Sequence, residues 1–191
     1  MAEAGGVERG ARLAVDVGTV RVGLAASDPD GIVATPVATL ARDARRPQGG
    51  RLPADVAAIV SEVGERRAAC VYVGLPRHLS GSEGAASASA RAYAEALAQA
   101  VAPLEVRLVD ERLSTVTAHQ ALRASGRSGR RHREVVDQAA AVVILQYVLE
   151  TERTTGRRPG ERVVVDPGAP AAEGTPGGCG HQQDDRGETL T

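Results

Sequence analysis

The sequence predicts an α/β domain, a mixed sheet of five strands covered by helices on both faces. Three observations carry that expectation. Three strand-like segments, 12–17, 21–27 and 32–40, follow one another with only turns between them. Two further short strand-like segments, 70–74 and 105–109, then alternate with stretches of helical spacing. The first of these is apolar throughout, as strands buried on both faces are.

Each element has its own signal. Arg12 to Val17 is a short apolar strand, and after Gly18 the segment Arg21 to Ser27 forms a second, close enough for a hairpin. Asp28-Pro29-Asp30-Gly31 is turn chemistry, and the third extended segment, Ile32 to Leu40, follows it. Residues 42–51 are polar and contain glycine. From Pro53 to Arg66, Val56, Ile59, Val60 and Val63 recur at helical spacing, with the proline near the start. Cys70 to Gly74 leads into a loop from Leu75 to Gly84, and Ser87 to Ala102 is an Ala-rich helix. Glu105 to Val109 is the last strand, ending at Asp110-Glu111-Arg112. Thr115 to Ala124 has helical character and Arg127 to Arg133 is a basic loop. Glu134 to Glu150 is the strongest helix, because Val136, Ala140, Val143, Ile144, Tyr147 and Val148 make a broad apolar stripe. After Glu150 the chain turns to glycine, proline and charge, with almost nothing aliphatic beyond Val165. The expected organisation is a flexible start at 1–10, one domain at 11–150 and a disordered tail at 151–191.

Composition narrows the chemistry. The formal net charge is −1, so any attraction for nucleic acid has to be local. The 23 cationic side chains are all arginine. Without lysine there is no Walker-type phosphate loop, no Schiff base and no kinase chemistry. Phe and Trp are absent and Tyr72, Tyr93 and Tyr147 are the only aromatics, too few for a base-stacking platform. Cys70 and Cys179 form neither a disulfide framework nor a metal-ligand spacing, which fits a reducing compartment. No run of eighteen apolar residues and no signal-peptide pattern occurs, so a cytoplasmic protein without a membrane span is expected.

Three carboxylates stand out. Asp16 ends an apolar strand, where an acid needs a cation, hydrogen bonds or an open cleft. An Asx-turn aided by Gly18 would account for it equally well. Asp110-Glu111-Arg112 closes another strand at the edge where open α/β sheets place their ligands, and alternation turns Asp110 and Glu111 to opposite sides. A solvated strand end is the plainer account. Asp137 lies near the start of the strongest helix, where an acid offsets the helix dipole, yet small apolar residues follow one turn on. Three acids converging from two strand ends and a helix would repel one another unless cations sat among them, and oxygen donors select Mg²⁺ or Mn²⁺ over zinc.

In order, the blocks Asp16-x-Gly18-x-x-Arg21-x-Gly23, Val73-Gly74-Leu75-Pro76 with Gly81, Asp110-Glu111-Arg112-Leu113-Ser114-Thr115 and Val136-Asp137-x-Ala139-Ala140 resemble the signature blocks of the YqgF/RuvX family across roughly residues 10 to 150. The resemblance implies an RNase H-like fold related to Holliday junction resolvases and a cytoplasmic nuclease that matures the 5′ end of pre-16S rRNA. It implies that Asp16, Glu111 and Asp137 are the acidic catalytic triad and hold the metal, two Mg²⁺ or Mn²⁺ ions in a phosphodiester hydrolysis. Ser114-Thr115 stands where the family usually has a second threonine, and a hydroxyl is kept.

Arg21 and Arg112 flank the acids and could grip phosphate or simply neutralise them. Arg123, Arg127, Arg130, Arg131 and Arg133, with no acid among them, are the clearest basic patch and the expected nucleic-acid contact. A solvated loop would read the same way. Two other functions compete with a nuclease acting on rRNA precursor or branched DNA. One is a catalytically silent nucleic-acid-binding module. The other is an ATP-handling protein of the actin type, which needs two lobes where this chain has room for one. Monomer and dimer both remain open.

Overall fold

The computed structural model describes residues 7–43, 51–78, 80–110 and 130–165, with side chains from 139 onward in the last segment. Strands β1 (Ala11–Val17), β2 (Arg21–Ser27), β3 (Ala34–Ala41), β4 (Ala68–Leu75), β5 (Val106–Asp110) and β6 (Glu161–Arg162) form one sheet in the order β3-β2-β1-β4-β5-β6. β1, β4 and β5 run parallel, while β2, β3 and β6 are antiparallel to their neighbours. The described helices are α1 (Ala54–Arg66), α2 (Ala85–Val101) and α3 (Arg130–Thr155).

Alternation along the strands divides the core into two layers. Leu13, Val15, Val22, Leu24, Val71, Val73 and Leu108 face one side, where Ile59 of α1 and Leu97 of α2 meet them. On the other side α3 lays Ala141, Ile144, Leu145 and Leu149 over Ala14 and Ala25, and Val148 over Cys70, Tyr72 and Val109. The alanines on β1 and β2 are what let a helix backbone approach the sheet there. Each fully buried Leu or Ile contributes about 1.5–3 kcal/mol. Cys70 belongs to this interior, and burial pushes its thiol up to about 12, so it is inert as a nucleophile or ligand at neutral pH.

Helices on both faces of a mixed sheet are as expected, and the boundaries differ for physical reasons. β3 starts at Ala34 rather than Ile32, because the Asp28 carboxylate accepts the N–H groups of Asp30, Ile32 and Val33 at 3.1, 2.8 and 2.6 Å and winds that stretch into a turn. These bonds, that from Val33 foremost, hold the Asp28 carboxyl below its ordinary range. Ile32 and Val33 are left exposed. Arg130 to Arg133, expected in a loop, are helical.

The largest departure is at the expected start of the tail. α3 continues through Glu150 to Thr155, and Glu161–Arg162 then adds a sixth strand to the expected five, with the Val163 N–H donating to Val106 O at 2.9 Å. Polar contacts hold this segment where aliphatic residues are scarce. Arg107 donates to the carbonyls of Pro159 and Gly160 at 2.6 and 2.5 Å, and Arg158 to Glu105 Oε2 at 2.7 Å. It covers part of the edge of β5 that would otherwise present unpaired backbone groups. Gly160 has φ +82, and a Cβ there would lie 2.3 Å from Leu108 O. Gly160→Ala should therefore detach β6 at a cost of about 1–3 kcal/mol, read as faster amide exchange at Arg162 and Val163. Unchanged exchange would show that the strand does not depend on this glycine. The expected helix at 115–124, the first part of the basic loop and residues 166–191 lie outside the described residues. Among those described, no helix is long and apolar enough to cross a membrane.

Candidate active site at the carboxyl edge of the sheet

The three parallel strands end side by side. Val15 is in register with Val73, and Leu75 with Asp110, so the carboxyl ends of β1, β4 and β5 form one edge, the edge at which open α/β sheets gather ligands. Val15 belongs to the layer under α1 and α2, and alternation therefore assigns Asp16 to the α3 face. It is half-buried at its strand end. Asp16 stands opposite Gly23 on β2, and Arg21, two residues from Gly23, shares its face. The turn between them is tight: the Gly18 N–H donates to Arg21 O at 2.9 Å, and a Cβ on Gly18 would come within 2.8 Å of the same oxygen.

Asp110 is on the opposite side, in register with the core residue Leu75, and forms a long ion pair with Arg77 at 3.8 Å. Arg77 also meets Glu83 at 3.0 Å, and Arg91 bridges Glu83 to Glu161 at 2.7 and 2.9 Å. The end of β5, the loop after β4, α2 and β6 are thus tied by one chain of charges. The Arg91 guanidinium holds both Glu83 and Glu161 below the ordinary carboxylate range. Asp110 thus turns away from the Asp16 face and meets an arginine. Beside the end of β5 lies a cleft of about 140 Å³ whose lining includes Leu75, Val109, Tyr147, Arg77, Asp110 and Glu161.

α3 runs antiparallel to β1. Near its carboxyl end Glu152 pairs with Arg12 at the start of β1, at 2.8 Å, so its amino-terminal half lies toward the carboxyl edge. Ala141 packs on Ala14 and Ala25. Asp137 precedes Ala141 by four residues, ~6 Å along the helix toward that edge. Glu111, Arg112, Arg123 and Arg127 lie outside the described residues, and of Asp137, Arg130, Arg131 and Arg133 only the helical backbone is described. Among the described residues no three His, Cys, Asp or Glu are grouped to hold a metal. Of the three acids singled out in the sequence, Asp16 is the one whose side chain is described. β5 ends at Asp110 on this edge, and the helix that carries Asp137 has its amino-terminal half toward it.

Two residues escaped the sequence reading. Arg77 follows a recognisable block but carries no spacing signal of its own. Glu152 lies past the expected end of the last helix, yet it is 6% exposed and accepts from both Arg12 and the Tyr72 hydroxyl.

Comparison with known proteins agrees with this architecture. The family model described as "RuvX: Holliday junction resolvase" matches residues 10–151. A protein of Streptomyces avermitilis is 51% identical over 160 residues, 84% of this chain and 98% of its own. Relatives from Kineococcus radiotolerans and Thermobifida fusca are 54% and 49% identical over 83% and 87% of this chain, covering 80% and 98% of their own. All three carry the name "Putative pre-16S rRNA nuclease". Among solved structures, Thermus thermophilus RuvC in complex with a Holliday junction substrate superposes with a TM-score of 0.53 at 13% identity, over 80% of this chain and 99% of that one. The shared fold is RNase H-like.

Proposed function

We propose, from the premise that the chain belongs to the RuvX family, that it is a metal-dependent nuclease of the cytoplasm that hydrolyses phosphodiester bonds in the 5′-end processing of pre-16S rRNA. The observation that carries the reading is the single edge shared by Asp16, the end of β5 that leads into Glu111, and the beginning of α3 that bears Asp137. The donor set fits hard divalent ions: carboxylate oxygens at a half-buried strand end, with the described thiol held inert in the interior. Mg²⁺ or Mn²⁺, as two ions, would there activate water and stabilise the departing oxygen.

The chain's own residues have separate tasks. Asp16, Glu111 and Asp137 supply the negative oxygens that hold cations, β1 fixing the first and α3 the last. Arg21, on the face of Asp16, and Arg112 hold the phosphates on either side of the scissile bond through bidentate contacts. Arg123, Arg127, Arg130, Arg131 and Arg133 draw the backbone of the nucleic acid toward the edge; four of the five fall at the start of α3 or just before it.

A four-way DNA junction is the second reading, favoured by the family's description. Cleavage of matched structured RNA and four-way junctions with Mg²⁺, Mn²⁺ or chelator separates the two: RNA cut, junction spared and chelator inhibiting is the expected pattern. Junction cleavage in preference to RNA overturns the rRNA assignment. Replacing Arg130, Arg131 and Arg133 together by Ala should weaken binding of every sequence alike and reduce the salt slope by about one per lost phosphate contact, while single-turnover cleavage at saturation is kept. An unchanged salt slope would remove these arginines from the interface.

A further inference from the structure

Arg42 follows the end of β3, and its contacts converge on the turn after Asp16. Its backbone N–H donates to Val20 O at 2.9 Å, and its guanidinium donates from Nη1 to Gly18 O at 2.7 Å. Nη2 donates to Ser89 Oγ of α2 at 3.0 Å, and Cζ stands 5.4 Å from the centre of the Tyr93 ring on the same helix. Tyr93 is itself fixed, since its hydroxyl donates at 3.2 Å to Asp55 Oδ2 at the start of α1, a side chain only 2% exposed. One residue therefore holds two carbonyls of the turn 18–20 and is braced against α2, whose Tyr93 is tied in turn to α1. Only a planar fork can bond Gly18 O and Ser89 Oγ together while stacking on a ring.

We propose that Arg42 is a positioning residue for the hydrolysis: it fixes the β1–β2 turn and through it the carboxylate of Asp16, two residues before Gly18. The proposal rests on the reading of Asp16 as a site residue. A cation-binding carboxylate has to be held within about 0.5 Å of its working position, and a strand end followed by an exposed turn does not achieve that unaided. Val20 at the turn's tip is 71% exposed, so packing contributes little there. The guanidinium adds a restraint from α2 to the turn's own bond from Gly18 N–H to Arg21 O. If Arg42 instead gripped phosphate directly, its removal would act on substrate binding.

The test uses the full chain with Arg42→Ala, Arg42→Lys and Ser89→Ala, measuring kcat, KM, the salt slope, Mn²⁺ binding without substrate, and amide exchange of the peptide spanning residues 16–22. Both Arg42 variants should lose about 10–100-fold in kcat and in Mn²⁺ affinity, with KM and salt slope unchanged. Exchange should quicken in 16–22 while residues 144–149 of α3 stay protected. Ser89→Ala, which removes one brace, should show the same changes at smaller size and keeps the test open should Arg42→Ala unfold. A raised KM with a salt slope lower by about one and undisturbed exchange would overturn the proposal in favour of a phosphate contact. An inactive Asp16→Asn beside fully active Arg42 variants would overturn it alone. A fully active Asp16→Asn would instead remove the site reading beneath it.

Discussion

Asp16→Asn should abolish turnover while leaving nucleic-acid binding intact or slightly tighter. The substitution keeps shape and volume and removes the charge that the proposed site would use to hold a cation at the end of β1. If metal-assisted stabilisation of the transition state is worth several kcal/mol, a loss of ~4 kcal/mol corresponds to about three orders of magnitude in rate. Affinity follows different groups, the arginines, and one fewer negative charge at the edge reduces repulsion of phosphate. Single-turnover cleavage with excess enzyme, beside a binding titration of uncut substrate, checks both halves. Cleavage by Asp16→Asn at the wild-type rate would remove Asp16 from the chemistry. No cutting of any substrate by the wild type under any metal would make the silent nucleic-acid-binding module the better account.

Glu152→Ala should be the most damaging single change to stability among those discussed. Glu152 and Arg12 are 6% and 4% exposed and paired at 2.8 Å, and the Tyr72 hydroxyl donates to the other carboxylate oxygen. Burial pushes the Tyr72 hydroxyl far above its ordinary range, so it stays a donor at any working pH. Removing the carboxylate leaves an uncompensated guanidinium under α3, and breaking a buried pair in this way costs about 3–5 kcal/mol. The midpoint of thermal unfolding should fall by on the order of 10 °C. Arg12→Met with Glu152→Leu and Tyr72→Phe, which removes the charges and the hydroxyl together, should recover most of the loss. A single Glu152→Ala variant as stable as the wild type would show that this contact does not anchor the helix.

The fold was legible because periodicity reports burial. Leu13 and Val15 against Arg12 and Ala14, the unbroken apolar run from Cys70, and the stripe from Ala140 to Val148 each state which side of an element meets the core. The ordered blocks around Asp16, Gly74, Asp110 and Asp137 identified the family, and alternation alone turned Asp110 away from the face of Asp16. What failed to show was whatever depends on partners distant in sequence. The strand at Glu161–Arg162 has no apolar pattern, since Arg107, Arg158 and the backbone of β5 hold it, and so it read as tail.

The sequence by itself determined the class of fold, the order of the described elements from β1 to α3 and the acids and arginines available for phosphodiester chemistry, because residue type and spacing are local properties. Tertiary structure alone decided that α3 runs antiparallel to β1 under the pull of Glu152 on Arg12, that Asp110 is spent on Arg77, and that Arg42 braces the turn beside Asp16. Each of these is a polar contact between residues far apart in the chain. Its strength comes from burial and geometry, neither of which leaves a period in the sequence.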